Sequence, residues 1–399
     1  MDGEGPHRSL QISRIVSLKR RTGLLPDSSR PLAKLSRCRS PVHKKAMSTD
    51  VDLTTILAVY PDIERPTAIT ALGGAGGFSG ARFWRVETPR GPFCLRCWPA
   101  EYPKVGDLQF IHAVLRHVAE NGFDLAAVPL ENSAGATFVR HAGHLWELSR
   151  WMPGQPEASP PPAKKRVTAA LECLAQFHRA TKHFRWTNTA PHREACSAVG
   201  PSPGIRNRQR ILRQWMAGRA GQLRKAVGPG LHWPEMAHRT NRLLELLPQW
   251  GPAVADILGQ HESCEVPLQP CLRDVWSDHV LFQGDVVTGL IDFGSMGVDN
   301  VACDLARLLG SLARDSSDLW QAGIGAYTNV RRLSQQELGL VRAFDLSGTL
   351  LGMFNWAAWV FLENRAFEEP QAVLQRMDAL MQRFESDRPP PPLARKVLL

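Results

Sequence analysis

The chain has 399 residues, of which 43% are hydrophobic and 22% charged, and its formal net charge is +10. A chain of this length and composition can bury a large core, and it is expected to fold as a globular protein with two lobes or domains. Residues 1–47 carry 11 Lys/Arg against 3 Asp/Glu, a net +8, which leaves the remaining 352 residues at only +2. The folded body therefore gives no reason to expect a nucleic-acid-binding face.

The first segment, residues 1–47, is rich in Ser, Pro and Arg and has no continuous apolar run. It lacks the apolar stretch of a secretory signal and is expected to be disordered. Because Met47 precedes "STDVDLTTILAVYP", where apolar spacing begins, two interpretations stay open. The segment is either an over-extended start of the reading frame or a real interaction or targeting arm, and a nucleic-acid-associated role would have to act through it.

The cysteine pattern indicates a reducing compartment. The eight cysteines show no disulfide-type spacing, and the most apolar late stretch is too short to span a bilayer. Cys94 and Cys97 form a Cys-x-x-Cys, but residues three apart on a strand point to opposite faces, and no second pair accompanies them. We therefore expect a cytoplasmic protein in which this pair binds no metal and has no redox function.

Residues 48–152 are predicted to form a β-rich first lobe. The stretch "TAITALGGAGGFSGARFWRVETPRGPFCLRCW" contains three strand patterns, separated by a glycine-rich turn and a "PRG" turn. Apolar residues from Leu108 to Val118 recur at helical spacing and predict an amphipathic helix over 107–122. Two further strands flank the "AG" of "TFVRHAGHLWELSRW", so the lobe is three strands, a helix and two strands.

Residues 153–387 are predicted to form a mainly helical second lobe, followed by a Pro-rich flexible end at 388–399. A Pro-rich connection, "MPGQPEASPPPAKK", leads into this lobe. The sequence "HVLFQGDVVTGLIDFG" predicts a β-hairpin with a turn at Gly284 and Asp285, shortly after "LRD". Helical patterns occupy four stretches, about 163–183, 205–227, 234–259 and 301–386.

The order of these pieces resembles the protein-kinase-like fold. The stretches "GGFSGARFWRV", "LRDVWSDH" and "IDFG" are most similar to the glycine-rich turn, catalytic loop and metal loop of the aminoglycoside phosphotransferase and choline kinase-like family. The resemblance covers roughly residues 65–365. It implies an α+β, two-lobe fold and an ATP- or GTP-dependent phosphotransferase that acts on a hydroxyl of a small molecule.

The resemblance assigns catalytic and metal-binding roles to the second lobe. Asp274 would orient or deprotonate the acceptor hydroxyl, with Arg273 beside it, and Asp292 would hold Mg²⁺, which prefers carboxylate and phosphate oxygens. His279 stands where the family has an Asn ligand of a second metal ion, and Asp278 replaces it if the loop shifts by one residue. The alternative, two surface aspartates at the ends of a hairpin, stays open.

The glycine-rich turn would bind the nucleotide phosphates. At Gly76, Gly77 and Ser79, backbone N–H groups can approach phosphates that a Cβ would keep away. The same composition is also typical of a flexible hairpin turn, so position within the lobe decides between the two interpretations.

Three other residues complete the site that the resemblance implies. Arg96 stands on the third strand, where the family carries a basic residue that reaches the α- and β-phosphates. The backbone groups of Glu147 and Ser149 are expected to bind adenine, because "WELSRW" occupies the position of the segment that joins the lobes. Asp304 matches a family aspartate at the start of the next helix and is expected to cap that helix or tether a loop.

A catalytically impaired pseudokinase, which binds nucleotide or serves as a scaffold, is the alternative function. It is supported by Leu272 in place of the family's His, by His279 in place of Asn, and by the absence of a glutamate in the helix 107–122 that could pair with Arg96.

The identity of the acceptor stays open at this level. Trp276 could line the acceptor site, and Trp356 with Trp359, one helical turn apart, could hold a cation such as an aminoglycoside or a quaternary amine. Tryptophans at helical spacing are also typical of a core. A polycationic substrate could bind three late acidic residues, or these belong to an ordinary surface: Asp315, Asp318 and Glu363.

Overall fold

A computed structural model describes residues 53–63, 65–72, 80–157, 162–186, 198–228, 233–365, 367 and 370–385. Gly76, Gly77 and Ser79 of the glycine-rich turn lie outside the described residues, as do the predicted tail 1–47 and the predicted flexible end 388–399.

The first lobe is a five-stranded antiparallel sheet with the strand order β1-β2-β3-β5-β4. The turn between the last two strands has positive φ at Ala142 and Gly143, 49° and 77°, as a two-residue hairpin of type I′ requires. The strands are β1 (Ala68–Ala71), β2 (Arg82–Thr88), β3 (Gly91–Cys97), β4 (Val139–His141) and β5 (His144–Arg150).

Two helices pack on this lobe. Helix α1 (Leu53–Leu57) forms a small core with the sheet, in which Ile56 joins Val86 and Leu148. Helix α2 (Val105–Glu120) buries Phe110 and its apolar neighbours in the larger core of the molecule. Helix α2 therefore lies between the sheet and the second lobe, which brings its polar residue His112 to the junction.

The second lobe is mainly helical. Its bounds are α3 (Lys164–Thr181), α4 (Pro203–Gln214), α5 (Ala220–Ala226), α6 (Pro234–His261), α7 (Ala302–Leu312), α8 (Ser317–Val330), α9 (Gln335–Phe361) and α10 (Pro370–Glu385). Helix α9 is buried along most of its length and begins with a capping box formed by Ser334 and Glu337. It is the central helix of this lobe.

Short strands surround the motifs at the junction. Strand β6 (Gln155–Pro156) pairs with the first strand of the hairpin β10 (Val280–Gln283) and β11 (Val286–Leu290), whose turn at Gly284 has a φ of 59°. The backbone N–H of Leu290 donates to Leu125 O at 2.6 Å, which fixes the hairpin to the segment after α2. The remaining pairs are β7 (Val199–Pro201) with β8 (Glu265–Pro267) and β9 (Gln269–Cys271) with β12 (Gly297–Asp299).

The predicted α+β, two-lobe fold is confirmed, including the order of the first lobe and the hairpin after "LRD". The predicted boundary at 152/153 falls between β5 and β6. The helix predicted over 205–227 is divided, because a π-helical turn at Trp215–Arg219 contains Gly218 with a φ of 157°. Within the described ranges, no helix is both long enough and apolar enough to cross a membrane.

Candidate active site

A cleft of about 1130 Å³, measured with its open mouth, lies between the sheet and the hairpin. Strands β3 and β5, helix α2, the segment after β5 and the "IDFG" loop all contribute to its walls. Its polar residues include Arg96, Glu147, Ser149, His279 and Asp292, all of which the sequence pointed to. The structure therefore brings the nucleotide-binding and metal-binding candidates among the described residues into one cavity.

Arg96 joins the two lobes electrostatically. Its Nη1 lies 3.7 Å from Glu147 Oε1, and its Nη2 lies 3.4 Å from Asp292 Oδ1. The guanidinium stacks on Trp98, with Cζ 3.3 Å from the ring centroid, and 7% of the residue is exposed. A buried arginine held between two carboxylates and an aromatic face has a fixed orientation, as phosphate recognition requires.

Glu147 is the carboxylate that pairs with Arg96, because helix α2 offers no glutamate for that pair. It lies directly opposite Arg96 in the β3/β5 ladder, and its Oε2 accepts hydrogen bonds from Trp98 Nε1 at 2.9 Å and from His112 Nε2 at 2.8 Å. Burial alone would raise the pKa of Glu147, but the contacts with His112 and Arg96 outweigh it and hold the pKa below its ordinary value. The carboxylate stays charged opposite Arg96, with helix α2 contributing a histidine as its support.

The expected adenine contacts through the backbone of Glu147 and Ser149 need correction. Hydrogen bonds from Trp98 N to Leu145 O and from Trp151 N to Pro92 O flank these residues in the β3/β5 ladder. Because hydrogen-bonded pairs alternate in an antiparallel ladder, the backbone groups of Glu147 and Ser149 face β3. Both residues line the cleft, but the segment that follows the strand, residues 150–152, is the part of the joining segment that borders it.

Asp292 and His279 face the cleft from the hairpin. Asp292 has a φ of 67°, and its Oδ2 lies 3.6 Å from His279 Nε2. A carboxylate that opens onto a cleft and can share a cation with substrate phosphates suits Mg²⁺, whereas the imidazole is a softer ligand. The donor set at this position therefore fits one hard divalent cation held mainly by Asp292.

Asp274 lies behind this cleft and is 3% exposed. Its Oδ1 accepts hydrogen bonds from Trp276 Nε1 at 2.8 Å and from Arg307 Nη2 at 2.8 Å. Burial alone would raise the pKa of Asp274, but the charges of Arg307 and His279 and these hydrogen bonds outweigh it, so the pKa lies below its ordinary value. Asp274 is therefore an ionised, firmly held hydrogen-bond acceptor and a weak base.

Asp304 holds the catalytic loop in place, as the predicted tethering role requires. Its two carboxylate oxygens accept the backbone N–H groups of Leu272 at 2.7 Å and Arg273 at 2.6 Å, and His178 Nε2 lies 3.0 Å from Oδ2. Arg273 has a φ of 65°, a left-handed conformation that costs energy for a non-glycine residue. The two charge-assisted hydrogen bonds stabilise that conformation and so fix Asp274, the next residue.

The side chain of Arg273 points away from the cleft. A Cβ added at Gly297 would lie 2.5 Å from Arg273 Nη1, so the guanidinium packs directly on this glycine, next to β9. Its charge also lowers the pKa of the buried Asp299, although burial dominates and leaves that pKa raised. Arg273 is thus not brought together with the other predicted catalytic residues, and its direct participation stays a prediction.

The proposed cation-binding aromatic pair is part of the core. Trp356 and Trp359 are 2% and 6% exposed and pack edge to face with ring centroids 5.0 Å apart. Two of the late acidic residues are also engaged: Asp315 pairs with Arg383 and Glu363 with Arg365. The hypothesis that Trp356 and Trp359 hold a cationic substrate is therefore wrong, whereas an acidic site that includes the exposed Asp318 stays a prediction.

Sequence reasoning missed Arg307 and His112, which hold Asp274 and Glu147. Arg307 follows Asp304 by three residues, so both lie on one face of α7. A loop tethered by Asp304 therefore comes close to Arg307, and that spacing was a usable signal. No comparable signal exists for His112, because its partner Glu147 comes from a strand 35 residues later.

Comparison with known proteins agrees with this geometry. The model of a family described as "Phosphotransferase enzyme family" matches residues 70–344. A homoserine kinase from Beijerinckia indica subsp. indica is 24% identical over 341 residues, which are 83% of this chain and 93% of that protein.

Two solved structures show a similar fold. A spectinomycin phosphotransferase in complex with ADP and spectinomycin has a TM-score of 0.58 at 11% identity, covering 84% of this chain and 94% of that one. An amicoumacin kinase in complex with AMP-PNP, Ca²⁺ and Ami has a TM-score of 0.54 at 12% identity, covering 83% and 92%. At these identities the likeness is one of fold.

Proposed function

This chain belongs to the phosphotransferase enzyme family, and from that premise we propose how its residues transfer a phosphoryl group from ATP to a hydroxyl of a small molecule. The observation that carries the proposal is the contact of 3.4 Å between Arg96 Nη2 and Asp292 Oδ1. It joins a strand of the first lobe to the "IDFG" loop, 196 residues later, in one cleft. Phosphate-binding and metal-binding groups must converge in this way for phosphoryl transfer.

We assign the triphosphate to the inner end of the cleft, beside Arg96 and Asp292, and the adenine to the segment 150–152. Arg96 binds the phosphates, and Glu147 keeps its guanidinium oriented. A divalent metal ion, proposed as Mg²⁺, would be held by Asp292 with His279 beside it and would neutralise charge on the phosphates. His279 and Asp278 stay proposals as further ligands.

Asp274 orients the acceptor. The hydroxyl oxygen forms a bond to the γ-phosphorus, the bond from that phosphorus to the bridging oxygen breaks, and ADP leaves. The hydroxyl donates its hydrogen bond to the Asp274 carboxylate and passes its proton there as the new bond forms. Because the pKa of Asp274 is lowered, we infer that orientation contributes more than proton abstraction.

The pseudokinase alternative loses one of its supports. The sequence lacks a helix glutamate to pair with Arg96, but Glu147 on β5 forms that pair. Asp274 and Asp292, the two carboxylates that the chemistry needs, are both present and oriented by neighbours. An active small-molecule kinase is the function that these contacts support best.

The test is a turnover screen with MgATP and MgGTP against small hydroxyl compounds, read out as ADP or GDP release and product mass. Homoserine is the first acceptor to try, because a relative of this chain is named a homoserine kinase. The proposal expects a phosphorylated product whose formation disappears in Asp292→Ala. MgATP that fails to bind the wild type would contradict it.

A further inference from the structure

A second cavity, of about 700 Å³ measured with its open mouth, lies beside the loop that carries Asp274, although Asp274 itself does not line it. Arg307 connects it to the catalytic loop, since this side chain lines the cavity and donates to Asp274 Oδ1. Trp276, the other donor to Asp274, lines it as well. The remaining walls come from helices α4, α7, α9 and α10, all in the second lobe.

The charged residues of this cavity are mainly of one sign. Five arginines line it, against one described carboxylate, that of Asp345. They are scattered over three helices, α4, α7 and α10, and the turn after α7, so no sequence motif indicates them. They are Arg208, Arg307, Arg314, Arg376 and Arg383.

Two of the five have carboxylate partners. Arg383 donates to both oxygens of Asp345, at 3.1 and 2.6 Å, and to Asp315 at 2.9 Å. Burial alone would lower the pKa of Arg383, but these two carboxylates outweigh it and raise the pKa. Arg307 is paired with Asp274.

The other three have no such partner. Among the described residues, no carboxylate lies within ion-pairing distance of Arg208, Arg314 or Arg376. Burial, with the charge of Arg307 added, lowers the pKa of Arg208 to about 10, and burial also lowers the pKa of Arg376. Arg208 Nη1 donates to Phe344 O at 2.6 Å and to Ser347 Oγ at 3.0 Å, and the charge of Asp278 acts on Arg376 from beyond ion-pairing distance. The positive charge of the cavity is therefore only partly balanced, and an anionic ligand would be stabilised there.

Two of the five arginines of this cavity are oriented by stacking. The guanidinium carbons of Arg307 and Arg376 each lie 4.1 Å from the ring centroid of Trp276. Stacking fixes the plane of a guanidinium and leaves its N–H groups available at the edge, which is the geometry that binds an oxyanion through two parallel hydrogen bonds.

We propose that this arginine cavity is the acceptor site and that the acceptor is a hydroxylated organic anion, whose carboxylate or phosphate is bound by Arg376 with Arg208 and Arg314. The inference rests on the proposed function, because it takes Asp274 as the residue that receives the acceptor hydroxyl. Among the described lining residues, an ammonium group finds no unpaired carboxylate here, since Asp345 is occupied by Arg383. The acceptor therefore needs its negative charge and does not need an amine.

Three acceptors with matched four-carbon chains separate a requirement for negative charge from a requirement for an amine. 4-Hydroxybutyrate carries the anion alone, L-homoserine carries the anion and an amine, and 4-amino-1-butanol carries the amine alone. Glycerol 3-phosphate provides the phosphate arm. The proposal expects the highest kcat/KM for one of the two pure anions, and the better of the two identifies the acidic group. The highest kcat/KM for 4-amino-1-butanol, or equal values for all four compounds, overturns it.

Arginine variants link that selectivity to the cavity. Arg376→Gln and the more exposed Arg314→Gln should each lower kcat/KM for the anionic acceptor roughly tenfold or more through KM, as expected for a lost charge-assisted bond, with KM for MgATP unchanged. Arg210→Gln is the matched control, because Arg210 lies on α4 beside Arg208 but is exposed and outside the cavity. Equal KM values in the wild type and both cavity variants overturn the proposal.

A binding measurement tests the anion site even if no acceptor is phosphorylated. A lack of turnover would count against the proposed function alone. Tricarballylate should raise the thermal midpoint of the wild type. The rise should be lost in Arg376→Gln and kept in Arg96→Gln, whose missing charge lies in the nucleotide cleft. No rise in the wild type, or an equal rise in both variants, overturns the anion site.

Discussion

The nucleotide cleft and the arginine cavity border different residues of the proposed catalytic loop, His279 and Trp276, and they differ in how their charge is balanced. Arg96, the one buried arginine among the described residues of the cleft, has a carboxylate on each side, Glu147 and Asp292. In the cavity, Arg208 and Arg376 lack such partners among the described residues. The cleft is thus preorganised for a ligand that brings its own cation, whereas the cavity is organised for a ligand that brings negative charge.

On the proposed assignment of donor and acceptor sites, the two halves of the active site constrain their residues differently. The donor is bound by groups that also hold one another, so removal of one group affects the rest. The positive charge of the arginine cavity is neutralised by its ligand, so a substitution of one of its residues affects the others less. Four variants test this comparison, from the largest expected effect to the smallest.

Asp274→Asn alters the buried carboxylate that accepts hydrogen bonds from Arg307 and Trp276, two residues of the arginine cavity. Turnover should fall by about 10²–10⁴-fold, because the amide is a poor acceptor for the hydroxyl proton. MgATP affinity should stay unchanged, since Asp274 does not line the cleft. The fold loss should be the same at pH 6 and pH 8, because the lowered pKa keeps Asp274 ionised at both. Steady-state kinetics at the two pH values provide the measurement, and a loss below threefold would contradict the assigned role.

Glu147→Gln removes the charge balance of the cleft. Loss of one partner of a buried ion pair should lower the free energy of unfolding by about 3 kcal/mol and weaken MgATP binding about tenfold. Glu131→Gln is the matched control, because Glu131 pairs with Arg116 on the exposed surface of the same lobe, where ion pairs contribute little. Urea unfolding and calorimetry should separate the two variants, and similar values for both would mean that Glu147 does not orient Arg96.

Asp304→Asn loosens the loop that carries Asp274. The amide has one acceptor oxygen in place of two, so one backbone N–H of Leu272 or Arg273 loses its partner, which should cost about 2 kcal/mol of stability. Asp318→Asn, at the exposed start of α8, should cost at most about 1 kcal/mol. Denaturant titration with kcat measured in parallel should show a stability loss and a fall in kcat for Asp304→Asn alone. An unchanged kcat would mean that the left-handed Arg273 does not need this tether.

His178, which binds Asp304, should give the smallest effect. Burial outweighs the contact with Asp304 and lowers the pKa of His178, so the unfolded chain binds more protons than the folded chain in acid. The free energy of unfolding should therefore fall as pH drops below about 6.5, by at most about 1.4 kcal/mol per pH unit from this residue. His178→Gln should flatten the slope between pH 7 and 5.5, while the exposed His183→Gln should keep it. Identical slopes in all three proteins would exclude His178 as the source.

The sequence predicted the fold, and it pointed to Arg96 and Asp292 of the proposed donor side, because those features are local. The order of elements along the chain, the hairpin at Gly284 and the carboxylates Asp274 and Asp292 follow from periodicity, turn residues and short motifs. The partner of Arg96 was missed because a glutamate was sought only in helix α2. Glu147 lies instead on β5, opposite Arg96 on the paired strand β3. Pairing between strands depends on register, which a single sequence specifies poorly.

The acceptor side was not predictable for a related reason. Arg208, Arg314 and Arg376 come from positions far apart in the chain and meet only through the packing of helices α4, α7, α9 and α10. Each looks like a solvated arginine in the sequence. The tryptophans at helical spacing, Trp356 and Trp359, pointed instead to a cation site, but helix α9 is buried along most of its length and uses them for packing.

The most direct test of the account is a calorimetric titration of ATP, with and without Mg²⁺, into the wild type, Asp292→Ala and Asp274→Asn. The account assigns Asp292 to the donor side and Asp274 to the acceptor side. It predicts that Asp274→Asn binds MgATP as the wild type does, while Asp292→Ala loses at least tenfold in affinity together with its dependence on Mg²⁺. Equal losses in both variants, or none in Asp292→Ala, would contradict this division.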